Sequence, residues 1–151
     1  MAKKNKVVKQ KEIASNSKIP KHVEDPESFY DKVPVWSFKL LDNNYDKWGF
    51  IHVDNINETI INKLKDYEGM TGDEIIKATG GKKHGNNNHY ENISDLIPEA
   101  QNRWKELHLE EYDRIFSLRL TGLQRLYGIL LNGVFKIVWF DPKHEIYKTQ
   151  K

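Results

Sequence analysis

The sequence has no cysteine among its 151 residues. Disulfide bonds, thiolate metal sites and cysteine nucleophiles are therefore excluded. No run of apolar residues is long enough to span a bilayer. The lysines near the N-terminus are not followed by the apolar segment of a secretory signal. These absences lead us to expect a cytoplasmic protein with no membrane partner.

There is also little net charge, only +2, but its distribution along the chain is uneven. Seven lysines crowd the start of the chain with Glu12 as the one acid among them: Lys3, Lys4, Lys6, Lys9, Lys11, Lys18 and Lys21. Such a segment would be attracted to nucleic acid phosphate, or it serves only as a solvated tail that aids solubility. We expect a flexible basic tail or linker over residues 1–32 and a single α+β domain over residues 33–151.

The first part of this domain carries one strand pattern followed by helical patterns. Apolar residues alternate over 35–41, as in a half-buried strand. Helical spacing then predicts a helix capped by Asn57 and ended by Gly69, and a second over 72–78 capped by Thr71. Residues 80–88 have loop composition, and a further helix is expected from Ser94 or Asp95 to Leu107, with Pro98 in its first turn.

The last third of the chain predicts three antiparallel strands, over 115–120, 124–131 and 134–140. Asn132-Gly133 joins the last two, because a type I′ turn needs positive φ at both of its central positions. The expected fold is therefore an N-terminal strand, two or three helices, and a three-stranded antiparallel C-terminal sheet.

A two-residue turn also fixes strand register. Counting back from it pairs Leu131 with Val134, Ile129 with Lys136, Tyr127 with Val138, and Arg125 with Phe140. The opposite side of the hairpin is almost purely apolar and is the expected core face; it carries Leu126, Gly128, Leu130, Phe135, Ile137 and Trp139.

This register places Arg125 at the end of the sheet where His144 and Tyr147 follow the last strand. A cation, an imidazole and a phenol suit RNA cleavage by the ribose 2′-OH. That reaction needs a base for the 2′ proton, positive charge on the phosphate and an acid for the leaving oxygen. In the alternative interpretation Arg125 pairs with an acid such as Asp141 or Glu145, Tyr147 caps the core, and His144 is an ordinary surface residue.

Other basic residues are candidates for RNA contact. Three of them, Lys82, Lys83 and His84, lie in the glycine- and asparagine-rich loop over 80–88. In the alternative interpretation this segment is an ordinary surface loop. Arg119 and Lys136 are expected on the same side of the sheet as Arg125. His84 and His89 fit no zinc-ligand spacing, so we expect neither a metal site nor a cofactor.

The stretch from Arg125 to Phe140, RLYGILLNGVFKIVWF, followed by His144 and Tyr147, resembles the C-terminal half of the RelE/YoeB/HigB-type toxins. The order of elements is similar to the β-α-α-β-β-β plan of that superfamily, with an additional helix over 98–107. The resemblance implies a metal-independent mRNA endonuclease, free or ribosome-associated, that an antitoxin protein silences. It further implies that Arg125 binds the phosphate, His144 transfers protons and Tyr147 orients the RNA.

Two other functions fit the same residues. One is a non-catalytic toxin or interaction module on this scaffold, since ParE-type relatives poison a protein target instead of cutting RNA. The other is a nucleic-acid-binding protein without catalysis, using the lysine tail and the 80–88 loop. An affinity that falls steeply with salt would characterise that case.

Overall fold

The computed structural model describes residues 30–78 and 88–148. Residues 1–29, which make up most of the predicted basic tail, lie outside this part of the chain. The described elements are β1 (Val35–Ser37), a 3-10 turn (Phe50–His52), a π-helical turn (Asn57–Ile61), α1 (Asn62–Glu68), α2 (Gly72–Lys77), β2 (His89–Asn92), a second 3-10 turn (Ile93–Asp95), α3 (Pro98–Glu106), β3 (Arg114–Arg119), β4 (Arg125–Leu131) and β5 (Val134–Asp141).

The strands form one five-stranded sheet in the order β1-β5-β4-β3-β2. Strand β1 runs parallel to β5, and every other neighbouring pair is antiparallel. The α+β class and the antiparallel arrangement of β3, β4 and β5 agree with the prediction. The predicted three-stranded C-terminal sheet is too small, because β1 extends it on one side and β2 on the other.

The helix boundaries follow local capping chemistry. Thr71 caps α2 as predicted, through a capping box in which the Glu74 amide donates to Thr71 Oγ1 at 3.4 Å and the Thr71 amide donates to Glu74 Oε2 at 3.0 Å. Pro98 occupies the first turn of α3. The predicted cap at Asn57 is wrong, since Ile56 before it already has helical dihedrals and no side chain caps that end.

Both faces of the sheet are buried, not one. The first core includes Ile60, Leu64 and Ile75 from the helical segments between β1 and β2, together with Phe116, Leu118, Leu126, Leu130, Phe135, Ile137 and Phe140 from the sheet. The second includes Ala100 and Trp104 of α3, with Ile115, Tyr127, Ile129, Val138, Trp139 and Ile146. The prediction of a single core face is therefore wrong, because helices cover the sheet on both sides.

The β4–β5 hairpin holds the predicted register only part of the way. Asn132 and Gly133 have φ of 52° and 79°, which confirms the expected turn conformation. Pairing follows the count as far as Gly128 with Ile137, and a bulge then shifts Tyr127 onto Trp139 and Arg125 onto Asp141. The predicted partners Val138 and Phe140 are wrong for this reason.

Gly128 lies at the bulge, where the strands approach too closely for a side chain. A Cβ there would lie 2.2 Å from the Lys136 carbonyl oxygen. The bulge also reverses the faces beyond it. Trp139 packs in the core under α3, not with Leu126 as predicted, and Phe140 packs in the core under α1 and α2.

A buried carboxylate links α3 to the sheet. Asp42 accepts hydrogen bonds from Arg103 Nε and Nη2, both at 2.8 Å, and from Trp139 Nε1 at 3.0 Å. Burial by itself would raise the pKa of Asp42, but these donors hold it below its ordinary value.

Within the described segments no helix has both the length and the apolar character needed to cross a membrane.

Candidate polar site at one end of the sheet

Two rows of side chains cross the α3-covered face of the sheet near the ends of β3 and β4. Strand pairing sets Arg119 beside Arg125, and Arg125 beside Asp141. The next row on the same face joins His89, Ser117 and Tyr127 across β2, β3 and β4. Because side chains alternate along a strand, residues two apart share a face, and the two rows form one polar cluster, most of whose side chains are buried.

Arg125 is 8% exposed and supports the loop between β3 and β4. Its Nη1 donates to the carbonyls of Thr121 at 2.8 Å and Gln124 at 3.0 Å, with a longer contact to Gly122 at 3.3 Å. Arg119 Nε donates to the same Thr121 carbonyl at 3.0 Å. Burial, and then the neighbouring Arg119 charge, lower the pKa of Arg125. The two guanidinium groups concentrate positive charge at this end of the sheet.

Asp141 shapes the chain that follows β5. Its carboxylate is fully buried and accepts hydrogen bonds from the amides of Lys143 at 3.2 Å and Ile146 at 2.9 Å. His144 between them has a positive φ of 54°. Ile146 is buried beneath α3, and its carbonyl accepts from the Ile97 amide at 3.0 Å. The turn over 142–146 therefore folds back onto the sheet.

His144 is half-buried in this turn and lies among charged groups. Burial lowers the pKa of the His144 imidazole below 6.5, and the charge of Arg125 lowers it further. The Asp141 carboxylate raises this pKa, and the nearby His89 and Arg119 lower it by smaller amounts. The lowered pKa favours the neutral imidazole, which is the form that can accept a proton.

A second histidine joins the same polar cluster from β2. His89 Nε2 is in close contact with Glu91 Oε1. The Glu91 carboxylate also raises the pKa of the Tyr147 phenol, which hydrogen-bonds to it. His89 Nδ1 is buried, with no hydrogen-bond partner in the described part of the chain. The buried Tyr127 hydroxyl lies next to the Ser117 side chain. Burial, and then the charge of Asp141, raise the pKa of the Tyr127 phenol.

The predicted site residues are only partly brought together. Arg119, Arg125 and His144 lie at the same end of the sheet, and Tyr147 lies on the β2 side of them, next to Glu91. Lys136 does not join them. It pairs with Ile129, four residues along β4 from Arg125 and about 13 Å away at the rise of a strand. Lys82, Lys83 and His84 lie outside the described residues.

Asn88 ties the start of β2 to this end of the sheet. Its Oδ1 accepts from the Arg119 amide at 2.8 Å, and its Nδ2 donates to the Ile75 carbonyl at 2.9 Å. Because the side chain is buried, these bonds fix where β2 begins. His89, the next residue, is thereby set against Ser117.

His89 and Glu91 were not predicted as site residues, because no strand was predicted over this stretch. The one available signal was Tyr90, an aromatic residue between His89 and Glu91 that packs on Phe116 in the first core. Across residues 30–78 and 88–148, no three His, Asp or Glu side chains are grouped so as to hold a metal ion.

We found no protein family, curated protein or solved structure that matches the chain.

Proposed function

We propose that this protein is a toxin-type endoribonuclease that cleaves mRNA, alone or on the ribosome, by attack of the ribose 2′-OH on the adjacent phosphate. The observation that carries the proposal is the position of His144. Its half-buried imidazole has a lowered pKa, and it lies within electrostatic range of two arginines at one end of the sheet.

Each of these groups suits one requirement of the reaction. Neutral His144 accepts the 2′-OH proton. Arg125, held by three carbonyls, and the more exposed Arg119 supply fixed positive charge for the phosphate, which becomes more negative in the transition state. The Tyr147 ring, half-buried beside Glu91, offers a surface against which the RNA is oriented. The proposed reaction uses side chains alone and no metal.

The resemblance to RelE-type toxins supports the same proposal. Strand β1, the helices α1 and α2, and the antiparallel strands β3, β4 and β5 follow one another in the β-α-α-β-β-β order. Strand β2 and helix α3 are additional to that plan. An antitoxin that silences the nuclease, as in those toxin systems, is part of the proposal.

The test uses three proteins purified by one protocol: wild type, His144→Ala and His52→Ala. His52 is an exposed histidine in the 3-10 turn before α1, so its replacement controls for the loss of an imidazole. Wild type and His52→Ala are expected to cut RNA equally, and His144→Ala to cut it at least about 100-fold more slowly. If wild type leaves mRNA intact both alone and with ribosomes, the nuclease proposal fails.

Growth after induced expression separates the nuclease from the binding toxin that the sequence also allows. A nuclease loses its toxicity with His144→Ala. A toxin that poisons a protein target keeps its toxicity in that variant. Persistent toxicity of His144→Ala at wild-type protein level would therefore favour the binding toxin and contradict our proposal.

A further inference from the structure

The loop between β3 and β4, residues 120–124, exposes an apolar side chain at the end of the sheet where His144 lies. Leu123 in this loop is 61% exposed, and the two residues before it are exposed as well. The charge of Arg125, which follows the loop, acts on His144 in the turn after β5, so the loop and that turn share one end of the sheet. A single exposed leucine is common on protein surfaces, so its surroundings decide whether it has a role.

Hydrogen bonds fix the backbone on both sides of Leu123. Arg125 Nη1 donates to the carbonyls of Thr121, Gly122 and Gln124. The Gln124 amide donates to Thr121 Oγ1 at 3.2 Å, and the Gln124 carbonyl accepts from the Leu120 amide at 2.9 Å. Because the loop is already held, a contact made by the Leu123 side chain costs little further ordering of the chain.

The loop combines positive charge with apolar surface. Arg119 is the last residue of β3 and Arg125 the first of β4, so a guanidinium-bearing residue stands at each end of the loop. Their charge attracts a phosphate group, whereas the exposed Leu123 side chain suits an apolar face. A nucleotide offers both, a phosphate and the flat face of its base.

We infer that Leu123 is a substrate-contact residue and packs against the base of a nucleotide beside the cleaved bond. This inference rests on the proposed ribonuclease function and adds how the RNA is held next to the reacting phosphate. The contact needs a base that is not covered by helical stacking. The substrate class is therefore single-stranded RNA.

The contact is apolar and does not select among the bases. Carbonyls of the loop already accept hydrogen bonds from Arg125, and the Thr121 hydroxyl accepts one from the Gln124 amide. Base identity in RNA is read by hydrogen bonds to the base edges, and a leucine side chain has neither donor nor acceptor. We therefore expect Leu123 to favour any base over none, with little preference among the four.

Removing the base from the substrate tests the inference. An RNA oligonucleotide cut at one mapped bond is compared with versions in which one nucleotide near that bond is abasic. Leu123→Ala is expected to raise KM about 5- to 10-fold on the complete RNA and to keep kcat within about 2-fold, because only a binding contact is lost. On one abasic version Leu123→Ala and wild type should have the same KM, since the contact is absent from both.

Two further variants control for other effects of the substitution. Leu123→Met keeps an apolar side chain of similar volume and should retain the wild-type KM. Val35→Ala shortens an apolar residue that is 58% exposed and lies beside Val134 at the opposite end of the sheet, so it should leave KM unchanged. Thermal melts establish that all variants are folded.

The outcomes separate the inference from the proposed function. A KM that Leu123→Ala leaves unchanged on the complete RNA, or raises equally on every abasic version, would overturn the inference and leave the proposed function intact. A loss confined to one base identity at the contact position would also overturn it. Failure of wild type to cut the complete RNA would instead count against the proposed function.

Discussion

Arg125 faces Asp141 at the last paired position of the β4–β5 ladder. Counting residues back from the Asn132-Gly133 turn predicts Phe140 as the partner of Arg125. The bulge beside Gly128 shifts the pairing by one residue, to Asp141. The bulge brings a carboxylate to the rim of the sheet beside the guanidinium. The Asp141 carboxylate holds the following turn by accepting hydrogen bonds from two backbone amides. His144 in this turn therefore lies within electrostatic range of the Arg125 guanidinium and the Asp141 carboxylate.

Replacing Asp141 tests whether it holds this turn. Asp141→Ala removes two hydrogen bonds from backbone amides to a buried carboxylate, so we expect a loss of about 3 kcal/mol in the free energy of unfolding. Asp141→Asn keeps one acceptor oxygen and should cost less. Urea unfolding measures both, with the exposed Asp54→Ala as a control expected to lie within about 0.5 kcal/mol of wild type. An Asp141→Ala variant as stable as wild type would contradict this role.

The pKa of His144 reports on its charged neighbours. The Arg125 cation lowers it and the Asp141 anion raises it. The pKa is therefore expected to rise in Arg125→Met and to fall in Asp141→Asn, whereas Lys136→Met, at the far end of the hairpin, should leave it unchanged. NMR titration of the imidazole Cε1 proton measures each value. Identical midpoints in all four proteins would place His144 away from these charges.

The Asp42 clamp, in which the buried Asp42 carboxylate accepts hydrogen bonds from Arg103 and Trp139, is expected to stabilise the fold. Arg103→Met leaves the buried Asp42 carboxylate without its two strongest donors and should cost about 3 kcal/mol in the free energy of unfolding. Lys105→Met, on an exposed position of the same helix, is the matched control. Chemical denaturation compares the two variants, and an equal effect of both would show that the clamp contributes nothing.

The same clamp predicts a direction of pH dependence. Because the pKa of Asp42 is lowered in the folded state, its contribution is fully present above the unfolded value of about 3.9 and is lost as pH falls through the folded value. The stability difference between wild type and Asp42→Asn should therefore shrink between pH 6 and pH 2. A difference that grows on acidification would have the wrong sign.

Gly128 and Gly122 form a matched pair for testing the bulge. A Cβ at Gly128 would lie 2.2 Å from the Lys136 carbonyl oxygen and 2.9 Å from the Phe135 ring, whereas one at Gly122 would meet nothing within 4 Å. Gly128→Ala should lose at least about 2 kcal/mol of stability or fail to fold, and Gly122→Ala should be close to neutral. Thermal melts of both variants check the contrast, which equal melting temperatures would refute.

Several local features of the fold were predictable from neighbouring residues alone, although the cap expected at Asn57 was not among them. The Asn132-Gly133 turn, the Thr71 capping box and Pro98 in the first turn of α3 each depend on a few neighbouring residues. The second buried face was not predictable in this way. It arises because α3 and Ile146 pack on the sheet from a distance along the chain, which periodicity does not reveal.

The site was predictable only through the strands whose register is set by the turn. Arg125 was expected at the correct end of the sheet, but its partner was not, since a bulge cannot be counted from a turn. A glycine inside a strand is a known signal for such a bulge, and Gly128 carries it. His89 and Glu91 were missed because β2 is a short polar edge strand without apolar alternation.

The most direct measurement of the central claim changes one atom of the substrate. An RNA oligonucleotide is mapped for its cleavage site, and the same oligonucleotide is then made with a single 2′-deoxynucleotide on the 5′ side of that bond. We predict that wild-type protein cuts the first, leaving a 2′,3′-cyclic phosphate, and leaves that bond of the second intact. Cleavage of the deoxy-substituted bond at an undiminished rate would contradict attack by the 2′-OH and, with it, the role of His144 as the base.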